Sequence, residues 1–174
     1  MKPHTHRRSI RLQNYDYSQP GAYFVTICTY RRKCLFGYVE KGTMHLTNFG
    51  EIARQEWLRS EEIRSEIRLD LFVVMPNHLH CIVVITHSDG IVGAHGRAPL
   101  RRSPRSLGSF IAGFKSVVTR RINQTRGTSG SPVWQRNYYE HVIRSEDELL
   151  RTRKYILNNP TRWFEDPDNP IHAS

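Results

Sequence analysis

Two histidines one residue apart, His78 and His80, lie in the run Val73-Val74-Met75-Pro76-Asn77-His78-Leu79-His80-Cys81-Ile82-Val83-Val84-Ile85. Imidazole nitrogens ligate divalent metal ions and, when protonated, donate to phosphate oxygens. Side chains alternate faces along a strand, so both rings point the same way and can hold one metal ion or one phosphate. Apolar runs on either side of Pro76-Asn77 predict a strand, a tight turn and a second strand. The run from Ile82 to Ile85 is apolar on both faces, as in a central strand, which is a rigid base for chemistry. Taken alone, His-x-His equally fits two histidines that simply end a strand near the surface.

Tyr155 and Asn159 form the second half of the constellation. They are four apart in a segment of helical spacing and so share one face. A phenol one turn from an amide, brought to the His-x-His edge, supplies a nucleophile and a third ligand. Two imidazoles and an amide oxygen around a divalent ion leave positions open for phosphate oxygens and water. A phenol ordinarily titrates near pH 10 and needs help to attack at neutral pH. A metal that makes phosphorus more electrophilic and orients it gives that help. The plainer alternative for Tyr155 is a half-buried helix tyrosine that packs under a sheet.

The elements that must position these groups follow from pattern. Residues 21–30 are rich in aromatic and β-branched types and predict the first strand. A short hairpin around Lys41-Gly42-Thr43 comes next. Thr47 or Asn48 caps a helix whose Phe49, Ile52, Ala53, Trp57 and Leu58 follow helical spacing to about Arg59, with 60–65 as loop or helix end. Ile67, Leu69, Leu71 and Val73 make the second strand, and the histidine strand is third. Ser106 or Ser109 caps a second helix carrying Leu107, Phe110, Ile111, Phe114, Val117, Val118 and Ile122. Residues 133–144 predict an irregular fourth strand. Ser145 with Glu148 forms a capping box for a last helix that stops near Asn159-Pro160. The order β-α-β-β-α-β-α suits an α+β, ferredoxin-like (RRM-like) antiparallel sheet with helices packed on it and an extra C-terminal helix carrying the tyrosine. All 174 residues read as one domain with a basic arm at 1–20, a flexible basic loop at 86–106 and a tail at 161–174.

Twenty-six basic against 16 acidic residues give a net charge of +10, and a folded chain this basic suggests nucleic acid as partner. The candidate phosphate contacts are Arg7, Arg8 and Arg11 of the arm, Arg97, Arg101, Arg102 and Arg105 of the loop, and Lys115, Arg120 and Arg121 on the second helix. For the helix residues an ordinary solvated face is an equal alternative. Three cysteines without a Cys-x-x-Cys pair argue against a zinc ribbon and fit a reducing, cytoplasmic setting. No apolar run approaches the ~20 residues that span a bilayer, so no membrane partner is expected.

The chain resembles the REP-associated tyrosine transposases, within the single-tyrosine HUH transposases. The carrying pieces are Asn14-Tyr15-Asp16-Tyr17, Met75-Pro76-Asn77-His78-Leu79-His80, Gly108-Ser109-Phe110 through Phe114-Lys115-Ser116, Trp134-Gln135-Arg136, Tyr139-Glu140-His141 and Tyr155-Ile156-Leu157-Asn158-Asn159-Pro160. The resemblance implies that His78 and His80 bind Mg²⁺ or Mn²⁺, that Tyr155 is the nucleophile, and that Asn159 occupies a polar ligand position, a glutamine in better-known insertion-sequence members. It implies cleavage and rejoining of single-stranded or hairpin DNA through a 5′-phosphotyrosine. It is compatible with a homodimer and with a monomer. Two rival readings of the same residues are a non-catalytic RRM-like nucleic-acid-binding protein and a metal-dependent hydrolase that uses water.

Overall fold

The computed structural model describes residues 16–86 and 105–172. The chain runs β1 (Gly21–Cys28), β2 (Gly37–Glu40), β3 (Thr43–Leu46), α1 (Asn48–Ile63), β4 (Ile67–Val74), β5 (His78–Ile85), α2 (Leu107–Thr125), β6 (Tyr139–Ile143) and α3 (Glu146–Asn158). Short 3₁₀ turns occupy Tyr30–Arg32, Trp163–Glu165 and Pro170–His172. Four strands form one antiparallel sheet in the order β4-β5-β1-β6, while β2 and β3 make a separate hairpin. This is the ferredoxin-like arrangement expected from the pattern, and β5 is indeed internal.

Alternation along the strands gives the sheet two apolar faces. Tyr23, Val25 and Ile27 of β1 and Leu79, Cys81 and Val83 of β5 face the main core, which α1 and α2 complete with Trp57, Phe110, Ile111, Phe114 and Val118. Trp57 is fully buried, with Phe110 at 5.4 Å and Phe114 edge-on at 5.0 Å. Phe24 of β1, Ile82 of β5 and Ile143 of β6 face the other way, where Ile156 and Leu149 of α3 cover them. His78 and His80 have the parity of Ile82, so the strand turns them towards α3.

Local chemistry sets the ends. Thr47 caps α1 by accepting from the Gly50 N–H at 3.2 Å, and Ser106 caps α2 by accepting from Ser109 at 3.2 Å. Gly50 is required by close approach, since a Cβ there would sit 2.1 Å from the Phe36 carbonyl oxygen. Lys41 and Gly42 both take positive φ, 49° and 77°, as a two-residue hairpin turn demands.

Three expectations are corrected. Helix α1 continues past Arg59 to Ile63, because Ser60 donates its hydroxyl to the Glu56 carbonyl at 2.7 Å and is satisfied inside the helix. The fourth strand is only five residues, and Trp134 reaches the sheet through one isolated bridge to Thr29. Residues 161–172, expected as a tail, fold over the end of the sheet. Trp163, Asp166 and Asn169 are buried there. Asn169 Nδ2 donates to the Trp163 carbonyl at 2.9 Å, and Arg32 pairs with Asp168 at 2.8 Å. The sites proposed at Arg7, Arg8, Arg11, Arg97, Arg101 and Arg102 lie outside the described residues. No helix among the described residues is long and apolar enough to cross a membrane.

Because Trp57 fills the junction of α1, α2 and the sheet, Trp57→Ala should cost about 3–5 kcal/mol in urea unfolding. A loss under about 1 kcal/mol would show that this junction is not the packing centre.

Candidate active site

The site lies at the start of β5. His78 pairs in register with Cys28 and His80 with Thr26 across β1. The His78 and His80 ring centroids are 4.3 Å apart. Asn77, in the turn before β5, fixes the orientation of His78. Its Nδ2 donates to the carbonyls of Asp168 at 2.7 Å and Arg32 at 3.1 Å, so its Oδ1 must be the atom that faces His78 Nδ1 at 2.9 Å. His78 Nδ1 therefore carries the proton, and the lone pair of Nε2 points inwards. The carbonyl that holds Asn77 follows Arg31 and Arg32, both at positive φ, 56° and 53°. Two consecutive non-glycine residues in that region cost about 1 kcal/mol or more each. His80 Nδ1 meets Thr26 Oγ1 at 2.8 Å, leaving Nε2 to face the Tyr155 hydroxyl at 3.2 Å.

Helix α3 brings Tyr155 and Asn159. Ser145 accepts from the Glu148 N–H at 3.2 Å, and Glu148 accepts in return from the Arg144 N–H at 2.8 Å and meets His141 at 2.6 Å. Arg153 grips Asp70 of β4 with two nitrogens, at 2.6 and 3.1 Å. Ile156 is the buried anchor of the helix, and Tyr155, 44% exposed, leans edge-on against Phe24 with centroids 5.9 Å apart. Its hydroxyl meets the His80 ring while the rest of the side chain borders an open cleft.

Asp166 completes the group. Its Oδ1 accepts from the Asp168 N–H at 2.7 Å, and its Oδ2 approaches His78 Nε2 at 3.7 Å, beyond hydrogen-bond distance. Ligand atoms of His78, His80 and Asp166 all lie within 4.8 Å of one another, and all three residues are buried. His78 Nε2, Asp166 Oδ2 and Asn159 Oδ1 are buried without a hydrogen-bond partner. Buried polar atoms are otherwise almost always paired. Two imidazole lone pairs, a carboxylate and an amide oxygen fit a divalent cation.

The electrostatics agree with that donor set. Burial holds His78 neutral and pushes its pKa down to about 3; the nearby Asn159 side chain opposes this by favouring the protonated ring, and the Arg32 charge reinforces it. Burial and neighbouring His78 also lower His80. Neutral imidazoles are the ligating form. Burial, then the charges of Asp166 and Asp168, raise Tyr155 to about 12, while Asn159 and Arg162 favour its ionised form.

Other expected residues fall elsewhere. Tyr139 lies on the same sheet face, paired with Thr26, whereas Tyr138 packs towards the main core. Trp134 is core, against Phe36 and Phe114. Helix α2 lies on the opposite side of the sheet from α3. There Lys115 donates to the carbonyls of Gln135 and Asn137 at 2.9 and 3.0 Å, and Arg121 pairs with buried Glu56 at 2.6 Å. Arg120 and Arg105 are exposed. Sequence reasoning missed Asp166, the orienting role of Asn77, and the Asp70–Arg153 clamp. Burial of one aspartate within an Asp-, Pro- and Asn-rich segment has no periodic signal to reveal it.

No protein-family model matches the chain. Among solved structures, a REP-associated tyrosine transposase bound to a REP hairpin superposes with a TM-score of 0.58 and 19% identity, over 88% of this chain and 74% of that one. The fold is therefore that of the REP-associated tyrosine transposases, the group the sequence resembles. At the level of sequence the chain is 38% identical over 169 residues to an uncharacterized protein of Haemophilus influenzae, covering 92% of each. The chain belongs to the family of that Haemophilus protein.

Two outcomes follow. Asn77→Ala releases the His78 tautomer and should weaken Mn²⁺ binding by about 10–100-fold in calorimetry, with the fold retained; unchanged affinity would remove Asn77 from this role. The unfolded chain protonates His78 near pH 6.5 and the folded one only near pH 3. Stability linked to His78 is thus fully present above pH 6.5 and lost as pH falls through that window. The melting temperature of EDTA-treated protein should drop there, and less steeply in His78→Gln; parallel curves would contradict the assignment.

Proposed function

We propose that the protein is a metal-dependent single-stranded DNA transposase and endonuclease that cuts and rejoins strands at hairpin-forming, REP-like sequences through a 5′-phosphotyrosine on Tyr155. The observation that carries this reading is the Tyr155 hydroxyl, 3.2 Å from His80 Nε2, above a buried group of unpaired ligand atoms. The solved neighbour of the same fold was bound to a REP hairpin, which supports DNA of that kind as substrate.

His78, His80, Asn159 and Asp166 are the residues that would hold Mg²⁺ or Mn²⁺. Such an ion supplies Lewis-acid polarisation of a phosphate oxygen. The remaining work belongs to the chain. Thr26 and Asn77 hold the two imidazoles, and the Asp70–Arg153 clamp fixes the helix that carries the nucleophile. At a pKa of about 12 the Tyr155 phenol is protonated at neutral pH, so its proton leaves during attack. The open side of the residue lets water take it. The tyrosine oxygen bonds to phosphorus as the bond to the 3′ oxygen breaks, and the released 3′ oxygen gains a proton. In rejoining, a 3′ hydroxyl attacks the phosphotyrosine and the tyrosine oxygen leaves. Total bond count is conserved, so no nucleoside triphosphate is required.

Both halves of the site come from one chain, which supports action as a monomer. Against the RRM-like alternative, α3 packs over Phe24, Ile82 and Ile143 on the sheet face opposite α1 and α2, which leaves less of that face open to stacking bases among the described residues.

Labelled hairpins with single-stranded flanks, incubated with Mg²⁺ and run on denaturing gels, test the reading. The wild type should yield a covalent protein–DNA band and a free 3′ hydroxyl. Tyr155→Phe removes only the hydroxyl and should abolish the band while hairpin binding persists. A band that survives in Tyr155→Phe, or cleavage that leaves only free 5′ phosphates, would favour another tyrosine or water as the nucleophile.

A further inference from the structure

Beside Tyr155 a cleft of about 340 Å³ opens along the outer face of α3 and the segment after it. Arg151, Lys154, Tyr155, Asn158 and Asn159 line it from the helix, and Arg162, Glu165 and Asp166 line it beyond the helix end. Their spacing of three and four residues makes one stripe along the helix, and residues 151 to 158 cover about 10 Å at 1.5 Å per residue. The stripe carries cations and amides. Its single aromatic ring is Tyr155, so bases find no stacking partner there.

The charges of this stripe are unequally engaged. Arg162 pairs with Glu165 at 2.8 Å, and both side chains are exposed. Arg151 and Lys154 are exposed, and neither forms a salt bridge among the described residues, although the Arg151 charge is near enough to help lower the pKa of Glu148. This contrasts with Lys115, Arg121 and Arg153, whose charged groups are held by carbonyls, Glu56 and Asp70. The first turn of α3 is acidic, with Glu146, Asp147 and Glu148, so the positive charge is confined to the half of the helix that borders the tyrosine. At the floor lies the unpaired Oδ1 of Asn159.

We infer that this cleft is a binding groove for the sugar–phosphate backbone of the unpaired strand, with Arg151 and Lys154 each taking a phosphate next to the bond that Tyr155 attacks. The inference rests on the nuclease reading above and adds a DNA-contact surface distinct from the arm, the loop and α2. It explains how a strand is drawn to a site whose own buried carboxylate, Asp166, repels phosphate. Two cations at the rim attract the backbone, and the amides of Asn158 and Asn159 offer uncharged donors closer in. The groove reads no sequence, because it touches no base edge.

The test measures binding of a labelled oligothymidylate strand by anisotropy as a function of salt, with every protein carrying Tyr155→Phe so that nothing is cleaved. Each lost phosphate contact lowers the log–log salt slope by about 0.7 for a single strand. Adding Arg151→Gln and Lys154→Gln should reduce the slope by about 1.4 and weaken binding about tenfold at low salt. Arg151→Lys with Lys154→Arg keeps both charges and should restore the slope. An unchanged slope in the Gln pair would overturn the groove. So would an equal loss on a blunt duplex, which would show a general basic surface. The covalent band formed by the protein with Tyr155 intact is read separately. Loss of the slope effect with that band present refutes the groove alone, whereas a missing band with the slope effect present refutes the nuclease reading.

Discussion

Three buried polar atoms, His78 Nε2, Asp166 Oδ2 and Asn159 Oδ1, face one another without a hydrogen bond. Each such atom costs on the order of 1–3 kcal/mol when left unpaired. The surrounding structure must hold them there against collapse. Asn77 is held by two backbone carbonyls and so cannot rotate to release His78, and the strained pair Arg31–Arg32 presents one of those carbonyls. Local cost is thus offset by the large core on the other face of the sheet, where Trp57, Phe110 and Phe114 interlock.

The two faces of the sheet have different tasks. The face under α1 and α2 is thickly apolar and stabilises the fold. The face under α3 has a thin apolar cluster centred on Ile82, Ile143 and Ile156, and polar clamps hold the helix: Arg153 on Asp70, and Glu148 on His141 and the Arg144 amide. Polar clamps fix the direction of a helix with less buried area than a core needs, and they leave Tyr155 half open to the cleft. The segment with Trp163 and Asp166 then closes the far side, Trp163 lying 6.0 Å from the His78 ring.

Much of this was legible in the sequence because it is local. The alternation that turns His78 and His80 to one face, the Ser145 cap and the four-residue step from Tyr155 to Asn159 are short-range patterns, and the order of elements fits a single sheet topology. Asp166 was not legible. It lies more than eighty residues from His80 and follows Pro160 in a run of Asp, Asn and Pro, which reads as a chain end. Its burial depends on Trp163 and on hydrogen bonds from the Asp168 and Asn169 amides, with Arg32 holding the neighbouring Asp168, and none of these has a period. The pairing of Arg121 with Glu56 was not legible for a related reason. Its helical position looks solvated, yet Glu56 of the neighbouring helix accepts its guanidinium, and only helix–helix packing brings the two together. The stretch from Ser60 looked like loop or helix end because it is charged and the apolar spacing stops near Arg59, but a hydroxyl that bonds back to the preceding turn is tolerated inside a helix.

The central claim is that the buried group beneath Tyr155 exists to bind a cation. A crystal of the protein grown with Mn²⁺, with data collected for anomalous scattering, tests it most directly. The account predicts one strong peak in contact with His78 Nε2, His80 Nε2 and the Asp166 carboxylate, with the Tyr155 hydroxyl released from His80. A peak at any other place, or none with those side chains still turned towards one another, would contradict it.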